Sequence, residues 1–340
     1  MLPGLREAFE RRLPECSAGG LGTTARHLAR LGLLSHGLLK RVAVWFEQRL
    51  ARADSRTNLR CVAHILVVYQ DAAPLRPRPA LLASISTWLS TALASDEAAT
   101  SESAGKWLLP VPYGCATDIL SAWASVCDGT ALPVTVVRAL AGTALSGAAA
   151  ADTGGSYGVG RLAQALGALA RVVDAAPPAV PATGSKSPMA GLQSDVSRWA
   201  SLVIERVQPG HFYDARDLSR ALYALYVLEV APDAVTAAAA VAKAAAVASK
   251  VDAHDLQRYF FALAKPLAAW HLSGLVSCEP AARALCARAP ELLEQSRGGA
   301  QWGEVLRRLR TLASIARVSV PELAEPWRSR ASSGEPHEAG

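Results

Sequence analysis

The heptapeptide Asp214-Ala215-Arg216-Asp217-Leu218-Ser219-Arg220 returns thirty-eight residues later as Asp252-Ala253-His254-Asp255-Leu256-Gln257-Arg258. This near-copy constrains the fold more than any other feature of the chain. Apolar residues in and after each copy keep i, i+4, i+7 spacing: Leu218, Leu222 and Leu225, then Leu256, Phe260 and Leu263. Such positions share one face of an α-helix. Between the copies, the segment 235–251 is dominated by Ala, the strongest helix former, and is long enough for a second helix. A helix–turn–helix unit cannot bury its apolar face alone; it stacks on its neighbours, and a chain of such units is an α-solenoid.

The same triad recurs at Leu59/Ala63/Leu66, Ile119/Trp123/Val126, Leu162/Leu166/Leu169 and Val305/Leu309/Leu312. The distances between anchors are irregular, and the wide gaps fall on segments rich in Pro, Gly and Ser. No stretch shows the strict apolar–polar alternation of a half-exposed strand. An ordinary helical bundle would also show amphipathic helices, but the near-copy at 214 and 252 favours stacked repeats, so the expected fold is all-α, an α-solenoid of about six to seven helix–turn–helix repeats.

The expected plan begins with a lead-in over residues 1–22, one short helix followed by a breaker at Ser17-Ala18-Gly19-Gly20-Leu21-Gly22. Thr23 or Thr24 would cap the next helix, with Leu28, Leu31 and Leu34 on its apolar face. Its partner, about 37–53, would turn Leu39, Val42, Trp45, Phe46 and Leu50 inward. The repeat domain would span 23–328, with loops at 95–105, 148–156 and 174–194, the last a disordered insertion. One helix is expected over about 279–295 and a short one near 320–327, before a disordered tail at 329–340.

Composition bounds the function. Charged residues make up only 19% of the 340 and the net charge is +6, with Arg supplying 29 of the 35 basic side chains. Arg suits bidentate phosphate contacts and stacking on bases, but Arg, Ala, Gly and Pro are all abundant here, as mutational bias toward GC-rich codons also produces. A charge of this size permits nucleic acid binding without demanding it. Between Arg6 and Arg60, eleven Lys or Arg face five acids, a distribution compatible with an organellar destination. The six cysteines form no C-x-x-C pair and no zinc-knuckle spacing, so structural thiols in a reducing compartment are expected, with no metal and no cofactor. The apolar run at 234–248 is mostly Ala and contains Lys243, so no membrane insertion is expected.

The text Asp217-Leu218-Ser219-Arg220-Ala221-Leu222-Tyr223-Ala224-Leu225 and its counterpart Asp255-Leu256-Gln257-Arg258-Tyr259-Phe260-Phe261-Ala262-Leu263 resemble the heptatricopeptide and octotricopeptide repeats. Glu304-Val305-Leu306-Arg307-Arg308-Leu309 is a poorer third copy. These repeats accompany the RAP domain and the Fas-activated-kinase-like proteins of mitochondria and plastids. The likeness covers about 60 residues. It implies binding of organellar RNA, rRNA or mRNA, or a place among the proteins of a large ribonucleoprotein such as the mitochondrial ribosome, in the mitochondrial matrix. The strand–helix pattern of a RAP domain is absent after Leu312, so no nuclease-like activity is implied.

Residues two positions after the anchors are candidates for the RNA contact. They are Gln164, Arg220, Arg258 and Arg307 in the later repeats, but Cys61 and Ser121 in the earlier ones. On a helix they lie about 200° from the anchor, away from the buried stripe. With Arg216, Lys250, Arg308 and Arg310 beside them, they would form a ladder of phosphate or base contacts. The alternative is a solvated stripe on an armadillo- or HEAT-like scaffold that binds proteins, touches no RNA and is cytoplasmic.

Catalytic signals are weak. Gly154-Gly155-Ser156-Tyr157-Gly158 fits G-x-S-x-G, but that elbow must follow a strand, as must a phosphate loop here. No histidine pair has H-x-x-x-H spacing; His64 and His271 lie in apolar helices, where hydrogen-bonded structural roles are expected. Tyr157, Tyr223, Tyr226, Tyr259, Trp123 and Trp270 would stack bases, yet their helical spacing beside Leu favours packing. The expectation is a non-enzymatic protein.

Overall fold

The computed structural model describes residues 2–52, 57–72, 75–97, 113–126, 132–150, 156–174, 193–207, 214–296 and 302–317. Among the described residues there are fifteen α-helices and no strand. The chain divides into two compact units, Met1–Ser194 and Asp195–Gly340.

In the first unit, α1 (Leu2–Arg12) leads through a single 3-10 turn (Leu13–Glu15) into α2 (Ala18–Arg30) and α3 (His36–Ala51). Then follow α4 (Leu59–Asp71), α5 (Pro79–Glu97), α6 (Tyr113–Val126), α7 (Val134–Ala150) and α8 (Ser156–Asp174). The first helices α2, α4, α6 and α8 pack each on the next, and so do the second helices α3, α5 and α7. This two-layer stacking of helix hairpins is the solenoid arrangement that the repeat required.

The second unit holds all but the start of α9 (Gln193–Arg206), then α10 (Asp214–Val227), α11 (Ala234–Lys250), α12 (Ala253–Leu272), α13 (Glu279–Ala287), α14 (Ala289–Ser296) and α15 (Trp302–Ala316). Here α10 packs on α12 and α12 on α15, while α11 packs on α13. Lys243 of α11 donates to the backbone carbonyls of Glu205 and Val207, which ties the end of α9 to this unit. Asp252, first residue of the second copy, caps α12 by accepting from Asp255 N at 2.8 Å.

Every residue of the six triads from Leu59 onward is buried, none more than 5% exposed. The beginning of the array differs from expectation. The breaker at 17–22 is helical: Ser17 caps α2 by accepting from Gly20 N at 3.2 Å, and the glycines lie inside the helix. The reason is a close approach. A Cβ on Gly22 would stand 3.0 Å from the Cys61 carbonyl oxygen and 3.1 Å from the His64 Cβ, so only glycine lets α2 lie this near α4. With the helix starting earlier, its buried triad is Leu21, Ala25 and Leu28, whereas Leu31 is 51% exposed beyond the helix end. Leu21 precedes Leu59 by thirty-eight residues, the same step that separates Leu218 from Leu256.

Other boundaries also move. Helix α5 runs on through Glu97 and α7 through Ala150, into segments expected as loops. Residues 98–105, 151–155 and 175–192 lie outside the described residues, as do 320–327 and the tail. The helix expected over 279–295 is two, broken at Arg288, whose guanidinium donates to the carbonyls of Ala248 and Val251 at 3.0 and 2.9 Å.

Three first helices end in one device. After α2, Gly32 adopts φ +68 and Leu33 N bonds back to Leu28 O; after α12, Gly274 adopts φ +74 and Leu275 N bonds to Trp270 O. After α10 the same Schellman turn, Val230 N to Leu225 O, is built with Glu229 at φ 54.

Candidate nucleic-acid interface

The expected ladder divides between the units: Gln164 belongs to α8 of the first, and the six arginines to the second. Arg216 and Arg220 both reach Asp217 Oδ1, at 3.2 and 3.4 Å, and Asp217 is itself 6% exposed. Arg258 is exposed, its guanidinium 5.7 Å from the ring centre of Tyr259. Arg307 and Arg308 share Glu304, whose carboxyl their hydrogen bonds hold below the usual carboxylate range. Arg308 also covers the ring of Phe261 at 5.3 Å, a contact between successive first helices, and Arg310 is half-buried. The arginines are present at a surface, and two carboxylates pair with four of the six.

The expected outward direction of the ladder position fails in the first unit. Cys61 is 3% and Ser121 9% exposed, on α4 and α6, each of which packs against a first helix on either side. Ser121 accepts a hydrogen bond from Arg171 of α8 at 2.9 Å, and burial lowers the pKa of that guanidinium. Among the proposed stacking aromatics, Trp123 and Trp270 are buried packing residues. Four of the described thiols, Cys61, Cys115, Cys278 and Cys286, are unbridged and buried, and burial pushes Cys278 and Cys286 up to about 11. Cys278 Sγ donates to the Leu267 carbonyl at 2.9 Å.

A basic cluster that the spacing argument passed over lies on the first helices of the first unit. Arg26 and Arg30 are one turn apart on α2, and Arg60 and His64 one turn apart on α4. The tight α2–α4 crossing at Gly22 brings these pairs together, and Thr23 Oγ1 lies 3.2 Å from His64 Nδ1. Burial, then the charges of Arg26, Arg60, His27 and Arg30, hold the His64 pKa at about 4, so the ring is neutral at pH 7. Asp118 of α6 faces Arg26 and Arg161, but burial outweighs both and raises its pKa. Arg26, Arg30 and Arg60 form no salt bridge among the described residues, and the buried Nε of Arg26 has no hydrogen-bond partner there. Like charges gathered in this way repel one another, and an anion would relieve them. The excess of basic residues between Arg6 and Arg60 was the signal in the sequence; the i, i+4 pairing of Arg26/Arg30 and Arg60/His64 would have refined it.

On the second-layer side of the same unit, a groove of about 200 Å³ is lined by Lys40, Arg41, Val44, Trp45 and Arg78. Trp45, expected to point inward, is only half-buried. Arg41 and Arg6 share Glu10, and Arg78 makes two 2.7 Å bonds to Glu47.

Among the described residues no group of His, Cys, Asp and Glu is placed to hold a metal, and no helix is long and apolar enough to cross a membrane. Ser156 opens α8, and no strand stands near it among the described residues. Comparison with protein-family models, curated proteins and solved structures finds no match. The fold defines the class, an all-helical repeat protein.

Proposed function

We propose that this chain is a non-enzymatic helical-repeat protein that binds RNA and neighbouring proteins in an organellar ribonucleoprotein, in the first place in the mitochondrial matrix and its ribosome. The observation that carries the reading is the basic cluster of Arg26, Arg30 and Arg60 around a neutral His64. Positive charge concentrated across successive helices suits a phosphate backbone, which places negative charges at regular short intervals. The likeness to heptatricopeptide and octotricopeptide repeats supports the organellar part. Arg220 and Arg258, on adjacent first helices of the second unit, would make a contact of their own.

A second reading, an armadillo- or HEAT-like protein scaffold, is favoured by one observation: Asp217 and Glu304 engage four of the second unit's arginines in ion pairs.

Sedimentation of the native protein from gently lysed mitochondria, with and without ribonuclease, tests the proposal. Co-migration with a large particle that collapses on ribonuclease supports it. Migration as a small species unchanged by ribonuclease sinks the RNA reading and promotes the scaffold.

A further inference from the structure

The groove beside Trp45 joins two features that recur where single-stranded nucleic acid is held: a partly exposed aromatic face and cations around it. Its walls come from the middle of α3 and from Arg78, just before α5. Val44 and Trp45 supply the apolar surface, and Lys40, one turn before Val44, stands at the rim. The surrounding cations, Arg6, Lys40, Arg41 and Arg78, outnumber the carboxylates Glu10 and Glu47 that bind three of them. Glu10 is shared by two arginines, whose hydrogen bonds keep its carboxyl ionised well below the usual range. Lys40 has no carboxylate partner among the described residues, so its ammonium is available to an incoming anion. Arg78 Nη2, donating to both carboxylate oxygens of Glu47, fixes the far wall of the groove.

We propose that this groove holds one nucleotide of single-stranded RNA, its base stacked on the indole of Trp45 and its phosphate on Lys40, with Arg41 at the side. The volume suits a flat ring rather than a folded segment, and the cation excess selects an anionic ligand over a neutral aromatic one. The inference rests on the RNA-binding reading and adds a second contact, on the layer opposite the first-helix face, where the base rather than the phosphate alone is held.

The test uses the full chain and three probes: a ten-nucleotide oligouridylate, inorganic polyphosphate and a glutamate-rich peptide. Each is titrated by fluorescence anisotropy or competition against the unchanged protein, Trp45→Leu and Lys40→Gln. Trp45→Leu is expected to weaken the oligouridylate about tenfold, the scale of one lost stacking contact, and to leave polyphosphate unchanged because it has no base to stack. Lys40→Gln, an exposed change that leaves the core intact, is expected to weaken both phosphate probes. Oligouridylate binding that ignores both substitutions overturns the groove while leaving the RNA reading standing. No oligouridylate binding by the unchanged protein overturns both. Binding of the glutamate-rich peptide through Trp45 and Lys40, in preference to RNA, makes the groove a protein contact and overturns the proposal.

Discussion

Replacing Gly22 by alanine sets two opposing effects against each other, and the structure decides the sign. An alanine inside a helix is favoured over glycine by about 1 kcal/mol, because glycine loses more backbone freedom on folding. At Gly22 the added methyl would meet the Cys61 carbonyl oxygen at 3.0 Å and the His64 Cβ at 3.1 Å. The oxygen belongs to the backbone of α4 and cannot rotate aside, so α2 must shift by a few tenths of an ångström against a packed core. Overpacking of this kind costs about 1–3 kcal/mol. The net expectation is a loss of about 1 kcal/mol. Gly142 supplies the control: it lies within α7 of the same unit, and a Cβ there meets nothing within 4 Å. Gly142→Ala should therefore gain the full propensity, about 1 kcal/mol. Two chemically identical substitutions should thus separate by about 2 kcal/mol. Urea unfolding followed by helical circular dichroism measures this, with equal denaturant slopes required for a fair comparison. If Gly22→Ala stabilises the protein as much as Gly142→Ala, then α2 and α4 do not cross as closely as described, and the account of the glycines fails.

Two further substitutions address the caps and the basic cluster. Glu229→Gly should raise stability by about 0.5–1 kcal/mol in the same assay, because the left-handed backbone at φ 54 strains a residue with a Cβ more than glycine's extra unfolded-state freedom costs; a loss would mean that the Glu229 side chain matters more than its backbone. His64, with its pKa lowered from 6.5 to about 4, stays neutral while the unfolded chain takes up a proton, so stability should fall as pH drops from about 6.5 towards 4. His64→Gln should flatten that limb of the stability–pH curve, and a curve unchanged by the substitution would refute the assignment. If RNA phosphates sit on the cluster, NMR titration should find the His64 pKa raised in the complex; bound RNA without that rise would place the contact elsewhere.

The repeat at 214 and 252 was enough to determine helix, period and buried face, because residues spaced i, i+4, i+7 share one side of a helix and an apolar side must be covered. The triads at Leu59, Ile119, Leu162 and Val305 are all buried as the spacing requires. The N-terminal repeat was misread for a physical reason: glycine signals a break when only the local chain is considered, yet here Gly22 is demanded by another helix 3.0 Å away. At the candidate site the counter-charges Asp217 and Glu304 lie within four residues of their arginines on the same helix, so these pairs are legible as local helix spacing. The position two after each anchor, expected outward, is a different matter. Cys61 and Ser121 are buried instead, on helices that pack against a first helix on either side. Periodicity along one helix is a local property and was legible from the chain alone. The convergence of Arg26, Arg60 and His64, and the half-exposed Trp45 among cations, exist only once helices from different repeats are packed against each other.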